Sequence, residues 1–220
     1  MRIGLLTILK ETLSVNHFNK LRFLLTYGKY IPVFLKHYHR AYIKYIQTFA
    51  GSPDEREDTV RLLLLNAFNS ILVSSNLLIQ SLFVPSGNLM RQLSESIACA
   101  ILFSAKEMDY FTEYLSDKAA YRFDRLVNEL EKKVIQAKLS LDQDGIQNML
   151  KIHRFYHGYS HSTVFSMSLM INFSRKNKVF LGPIFDSRRD IAYKIEIRRR
   201  ISACALLVNV IELCKRELDK

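Results

Sequence analysis

The chain has 220 residues, of which 49% are hydrophobic and 24% are charged, and its net charge is +11. This composition excludes a wholly disordered chain, and seven glycines and four prolines are too few for the many turns of a β-sandwich. We therefore expect an all-α fold, with residues 1–220 forming a single helical bundle of six to seven helices.

The basic residues are concentrated in two regions. Residues 1–50 hold eight Lys or Arg against one acid, and residues 151–185 hold five against none. Residues 51–150, in contrast, have a net charge of −4. Two basic regions favour a polyanionic partner such as RNA. The alternative is that these charges only solvate the surface.

The cysteines bear on the compartment. Cys99, Cys204 and Cys214 are widely spaced and form no CxxC pair, which indicates reduced, buried thiols and argues against a thiolate zinc site. The apolar run Ile3–Leu9 is short and is followed directly by charged residues, unlike a signal peptide. We therefore expect a cytoplasmic protein.

The first predicted helix covers residues 5–27 and is interrupted at Gly28. Pro32 suits the first turn of a second helix that runs to about Phe49. Basic residues alternate in this second helix with four tyrosines, Tyr30, Tyr38, Tyr42 and Tyr45. The tyrosines either stack on bases of a bound nucleic acid or pack inward.

A third helix is predicted from Pro53 to Val84, between an N-cap at Ser52 and a stop at residues 85–87. The stretch Leu62–Met90 has no charged residue and is long enough to span a bilayer. A lipid-facing helix would leave its many amides and hydroxyls unsatisfied. These are Asn66, Asn69, Ser70, Ser74, Ser75, Asn76, Gln80 and Ser81. We therefore expect a buried core helix and no membrane partner.

The next helix is predicted from Asn88 to about Met108. Arg91 and Glu95 lie four residues apart on it and can pair. This pair is either exposed and worth little, or partly buried and in support of a histidine-rich stretch further along. Residues 118–139 then predict one amphipathic, charged helix.

The stretch Lys151–Ile171 holds three of the six histidines. On a helix, His153, Arg154, His157 and His161 would lie within about a quarter turn of one another. Gly158 would bend or stop that helix.

A final helix is predicted from Ser187 to Leu218, after a turn at residues 182–183. Its first half is basic. Its expected apolar side comprises Ile191, Ile195, Ile201, Leu206, Val210 and Leu213.

Several catalytic classes lack their motifs in this chain. There is no phosphate-binding glycine loop, no dinucleotide fingerprint, no HExxH and no nucleophile elbow. Arg154 and His161 offer a different chemistry, because arginine can hold a scissile phosphate and histidine can move protons for attack by the RNA 2′-hydroxyl. That reaction needs no metal.

The segment from Arg154 to His161, RFYHGYSH, resembles the R-x4-6-H signature of HEPN-domain ribonucleases. HEPN proteins are all-helical, are often toxins or anti-phage effectors, and usually dimerise so that two motifs face one RNA. The chain also resembles a HEPN-related bacterial branch in which an Arg…Glu helix precedes a Tyr…Ser…His stretch. The matching residues here are Arg91, Glu95, Tyr156, Tyr159, Ser160 and His161. HEPN nucleases usually carry a small polar residue after the arginine, where this chain has Phe155.

The resemblance implies a HEPN-like core over residues 53–172, with basic helices added at 1–50 and a C-terminal helix at 187–218. It implies Arg154 and His161 as catalytic residues and a metal-independent endoribonuclease that uses no cofactor. The supporting residues would be His157, Tyr156, Tyr159, Ser160, Arg91 and Glu95. The implied partners are RNA, a second copy in a homodimer, and a protein such as an antitoxin.

Two other functions stay open at this point. The Arg, His and Tyr residues can form a structural polar layer in a non-catalytic interaction module. His153, His157 and His161 can instead bind zinc or iron, with Glu95 as a fourth ligand. Three histidines on one helix converge poorly, because the outer two lie about 12 Å apart along its axis.

Overall fold

The computed structural model describes residues 17–51, 53–116, 123–139, 143–159 and 185–220. Within these ranges the chain is helical and contains no β-strand, which confirms the all-α prediction. The same ranges contain eight α-helices besides the helical residues 17–27, more than the six to seven expected.

The helices are numbered here in chain order. Helix α1 is the helical stretch 17–27, and a 3₁₀ turn at Gly28–Tyr30 follows it. The others are α2 (Ile31–Thr48), α3 (Glu55–Ile79), α4 (Phe83–Ser104), α5 (Tyr110–Ser116), α6 (Phe123–Glu129), α7 (Lys133–Lys138), α8 (Gln143–His157) and α9 (Asp190–Leu218).

Helix α4 lies at the centre of the bundle, with α3, α5, α6, α8 and α9 packed against it. Between Ser94 and Ser104, every residue except Glu95 is buried. A helix that is buried all round belongs in the middle of a protein. The sequence assigned this central position to the uncharged stretch Leu62–Met90, most of which belongs to α3, and that prediction was wrong.

Helix α3 is long and apolar enough to cross a membrane by length and composition, and 39% of its most apolar window is buried. Its polar residues lie on more than one face of the helix. Ser70 and Ser74 are buried, whereas Asn69 and Asn76 are exposed on another face. Helix α3 therefore packs on one side only.

The boundaries of α3 differ from the prediction at both ends. Asp54, not Ser52, is the N-cap, and its Oδ1 accepts a hydrogen bond of 2.7 Å from the Glu57 N–H. At the other end the chain turns at Ser81, whose φ is 65°. Pro85 then lies in the first turn of α4, where a backbone N–H would have no helical partner. The expected stop at residues 85–87 is thus the start of the next helix.

Two other predictions need correction. The expected helix over 118–139 is divided, because α6 ends at Glu129 and α7 begins at Lys133. In α9, Ile191 and Ile195 are exposed rather than on the buried side. The buried side repeats at steps of three and four: Tyr193, Ile197, Arg200, Cys204, Leu207, Ile211, Cys214 and Leu218.

Tyr38, Tyr42 and Tyr45 of α2 pack their rings around Phe68 of α3, with centroids 5.5 to 5.8 Å away. Each contact is edge-on, the geometry that aromatic pairs prefer. This arrangement favours the inward-packing interpretation of these tyrosines over base stacking.

The three cysteines are free and buried, as expected. Burial raises the pKa of the Cys204 and Cys214 thiols to about 12. These side chains therefore behave as small apolar residues of the core.

The turn after α8 packs closely against α4 at Gly87. A Cβ atom added there would lie 2.2 Å from Cδ1 of Tyr159 and 2.5 Å from its Cγ. We predict that Gly87→Ala lowers the free energy of unfolding by about 1–3 kcal/mol, because the Tyr159 ring must move. Urea denaturation measures this. A stabilisation instead, as expected from helix propensity alone, would contradict the contact.

Candidate functional site

The end of α8 is anchored to α9 by a buried ion pair. Glu196 and Arg200, one turn apart on α9, are both almost fully buried. Nη1 of Arg200 donates to Oε2 of Glu196 at 2.7 Å and to the Glu196 carbonyl at 2.8 Å. A buried charge is tolerated only when it is paired and hydrogen-bonded.

Two tyrosines of the candidate site donate hydrogen bonds to the carboxylate of this ion pair. The Tyr156 hydroxyl donates to Oε2 of Glu196 at 2.7 Å, and the Tyr159 hydroxyl donates to Oε1 at 3.3 Å. Burial raises the pKa of both phenols, so they stay protonated as donors. The Glu196 carboxylate therefore receives hydrogen bonds from two helices.

The same network reaches α4 and α3. Nη2 of Arg200 donates to Oγ of Ser86, and the Ser86 hydroxyl donates to the Ser74 carbonyl at 2.7 Å. Side chains and backbone of four helices thus meet in one connected layer. We call the set Tyr156, Tyr159, Glu196, Arg200 and Ser86 the buried polar layer.

The opposite side of α8 faces solvent. Arg154 and His157 are both exposed in its last turn. The Arg154 guanidinium pairs with the Glu131 carboxylate, and its side chain remains 62% exposed. In the same turn, the Phe155 ring stacks against the Arg199 guanidinium of α9, which lies 3.7 Å from the ring centroid. The helix therefore carries an arginine at the surface and tyrosines in the core.

A second polar group joins α8 to α4. Nδ1 of His153 lies 2.9 Å from Oγ of Ser94. The Ser94 hydroxyl has one hydrogen and donates it to the Arg91 carbonyl at 2.7 Å. This assigns a proton to Nδ1 of His153, which then donates to Ser94.

Arg91 and Glu95 lie beside this histidine. Nε of Arg91 donates to Oε1 of Glu95 at 2.7 Å, and the two side chains are 24% and 18% exposed. Burial lowers the pKa of His153, the nearby Glu95 carboxylate opposes this, and Arg91 adds to it. Arg91 and Glu95 therefore form a partly buried pair next to the histidine stretch, which was one of the two predicted alternatives.

The structure separates the predicted site residues into three groups. Tyr156 and Tyr159 lie in the buried polar layer, Arg154 and His157 lie at the surface, and Arg91 and Glu95 lie beside His153. Ser160 and His161 lie outside the described residues.

Helix α8 ends at His157, and residues 158–159 form a turn. The predicted break at Gly158 is confirmed. Because the helix ends before Gly158, helical spacing cannot relate Arg154 to His161. The argument that these two residues share one helix face no longer applies.

Metal binding receives no support from the part of the chain that the structure describes. That part contains no group of three or more His, Cys, Asp or Glu side chains placed to hold an ion. The rings of His153 and His157 are 6.4 Å apart between centroids, and His153 is engaged with Ser94.

The sequence interpretation missed three residues on which the site depends. Arg200 had been counted in the basic first half of the final helix, Ser86 lay in the expected stop at residues 85–87, and Glu196 had been given no role. One signal was present, because Arg200 falls in register with the buried residues of α9 at steps of three and four. A charge in an apolar register predicts a buried partner one turn away.

Comparisons with known proteins add no evidence about this site. No protein-family model matches the chain, and no curated protein or solved structure is significantly similar to it.

We predict that Glu196→Ala lowers the free energy of unfolding by about 3–5 kcal/mol, because it leaves the Arg200 charge buried and unpaired. Glu212→Ala is the matched control, since it removes an exposed acid of α9 that pairs with Lys44 at 2.7 Å. That control should cost at most about 1 kcal/mol. Chemical denaturation measures both, and similar losses for the two variants would rule out the buried pair.

We also predict that stability falls as the pH drops below 6.5, in part because of His153. Its pKa is lower in the folded protein than its ordinary value of 6.5, so the unfolded chain binds the proton more readily in this range. His153→Gln should flatten the dependence of the melting temperature on pH. His157→Gln, which replaces an exposed histidine of the same helix, should leave it in place. Equal slopes for wild type and His153→Gln would contradict the assignment.

Proposed function

We propose that this chain is a cytoplasmic RNA-binding protein with a HEPN-like helical core, and that it cleaves RNA without a metal. Arg154 contacts the scissile phosphate and His161 transfers protons. His157 and Ser160 line the same site, and Arg91 and Glu95 support the helix that carries it. As a toxin or phage-defence component, it would act as a homodimer and be controlled by a partner such as an antitoxin.

One observation carries this proposal. Helix α8 presents Arg154 to solvent while Tyr156 and Tyr159 fix the same turn to the buried polar layer. A catalytic arginine must reach substrate and yet be held in position. The solvent side of this turn makes Arg154 accessible, and the buried side holds it in position.

The ion pair with Glu131 is compatible with phosphate binding. Both side chains are substantially exposed, and exposed pairs contribute little to stability. A phosphodiester offers the guanidinium the same fork of oxygens as a carboxylate. Binding of RNA would therefore exchange Glu131 for a phosphate at small cost.

The proposed reaction is an internal transesterification. The RNA 2′-oxygen attacks phosphorus as His161 accepts its proton, and the bond from phosphorus to the 5′-oxygen breaks. The departing 5′-oxygen takes up a proton from solvent, and the products are a 2′,3′-cyclic phosphate and a 5′-hydroxyl end. Arg154 stabilises the negative charge that develops on the phosphate oxygens.

The buried polar layer supports a second candidate, a non-catalytic helical interaction module. Tyr156 and Tyr159 are buried and donate to Glu196, so they cannot touch a substrate. In the ribonuclease proposal they are positioning residues. In the second candidate they and the rest of the site are structural.

We predict that the purified protein degrades RNA in the presence of EDTA, and that His161→Ala and Arg154→Ala each reduce the rate by about 100-fold or more. Lys106→Ala is the matched control, since it removes an exposed positive charge of the loop after α4. The melting temperature of each variant shows whether the fold is intact.

Two results would overturn the proposal. Intact RNA after incubation with the wild type would remove the catalytic function. Equal cleavage by wild type and His161→Ala would show that the activity comes from elsewhere. A His161→Ala variant that only melts at a lower temperature would favour the interaction module.

A further inference from the structure

A stripe of regularly spaced residues runs along the exposed side of α3. It comprises Leu62, Leu65, Asn69, Leu72, Asn76 and Ile79, at alternating steps of three and four. Leu62 and Leu72 are 59% and 45% exposed, Leu65 is 38% exposed, and only Ile79 is partly covered. We call this set the α3 stripe. Alternating steps of three and four are the a and d positions of a heptad repeat, by which two helices pair.

The α3 stripe differs from the rest of the surface in charge. No charged residue occurs between Arg61 and Arg91, although the chain carries a net charge of +11. Two copies of a strongly cationic protein repel each other over most of their surface. An uncharged stripe is a place where they can approach closely.

Exposed apolar residues of α2 widen this face. Tyr42 packs against Phe68 of α3 with 5.5 Å between ring centroids, which places the two helices side by side. Leu35 and Ile46 lie near Tyr42 around α2 and are 51% and 47% exposed. These side chains add exposed apolar surface beside the α3 stripe.

The asparagines indicate what covers this face. Asn69 and Asn76 both fall at a positions, and the d positions that flank them hold Leu65, Leu72 and Ile79. A lipid bilayer would leave their amides without hydrogen-bond partners. Each amide has both a donor and an acceptor, so the asparagine of a second copy can satisfy it. Asparagine at an a position also specifies register and the number of strands.

We propose that the α3 stripe is a self-association surface, and that α3 of one chain packs against α3 of a second copy of this chain. Helix α3 has 25 residues and is therefore about 37 Å long. With α2 beside it at an axial distance of about 9 Å, the face measures on the order of 700 Å². This is close to the ~800 Å² per partner of a standard interface.

This inference does not rest on RNA cleavage. It names the surface of a dimer, and that dimer can form whether or not the chain acts on RNA. Arg154→Ala lies on another helix and should leave the dimer intact, so a failed cleavage assay and a failed dimer assay can be told apart.

The test is sedimentation equilibrium of the full chain. The wild type should be a dimer, and Leu72→Glu should weaken it by about 100-fold or more, because two like charges would meet in the seam. Ile191→Glu is the matched control, since Ile191 is 74% exposed on α9 and should be replaceable without effect. A monomeric wild type, or equal dissociation by the two variants, would overturn the proposal.

Cross-linking gives a second, local measurement. Asn69→Cys lies near the middle of the stripe and should form a disulfide-linked dimer on mild oxidation, whereas the three native cysteines are buried and should not. A dimeric variant that fails to cross-link would place the interface elsewhere. A monomeric wild type that floats with vesicles of anionic phospholipid, and loses this with Leu72→Glu, would assign the stripe to a membrane instead.

Discussion

The charge of Arg200 is buried in the middle of the bundle, and the arrangement of the surrounding helices depends on satisfying it. Glu196 supplies the opposite charge, Tyr156 and Tyr159 donate to that carboxylate, and Ser86 receives the second Nη group. Any movement of α8 or α4 away from α9 would remove one of these partners and leave a buried charge poorly compensated. The layer therefore holds the last turn of α8 in place, and with it the position of Arg154 at the surface.

This arrangement gives the last turn of α8 two chemically different sides. The core side is closed by apolar packing and by protonated tyrosines, and the solvent side carries a guanidinium that pairs with a single exposed carboxylate. His153 lies between them, linked through Ser94 to the helix of Arg91 and Glu95. Rigid support beneath an accessible arginine suits phosphate binding, and it suits equally a surface that recognises another protein.

The sequence predicted the helical class, the break at Gly28, the end of α8 near Gly158 and the long final helix, because local periodicity and turn residues decide such features. It failed where tertiary packing decides. Pro85 and Gly87 have the local signature of a stop, yet proline is tolerated in a first helical turn and Gly87 is needed for the contact with Tyr159. The buried role of Arg200 was overlooked because it ends a stretch of three consecutive arginines, although its register with the apolar residues of α9 predicts a buried partner one turn away. Helix α3 was expected in the core, whereas its outer side carries an uncharged stripe that is the proposed self-association surface.

The central claim is that four helices share one buried polar layer. Tyr156→Phe on α8 removes its hydrogen bond to Glu196. Ser86→Ala on α4 removes the hydrogen bonds to Arg200 and to the Ser74 carbonyl, and the two side chains are connected through Glu196 and Arg200. A double-mutant cycle on the free energy of unfolding tests this most directly. We predict that the two changes are non-additive by about 0.5 kcal/mol or more, as found for members of one network. Strict additivity would mean that the hydrogen bonds of Tyr156 and those of Ser86 are independent. That result would contradict the account of a single layer.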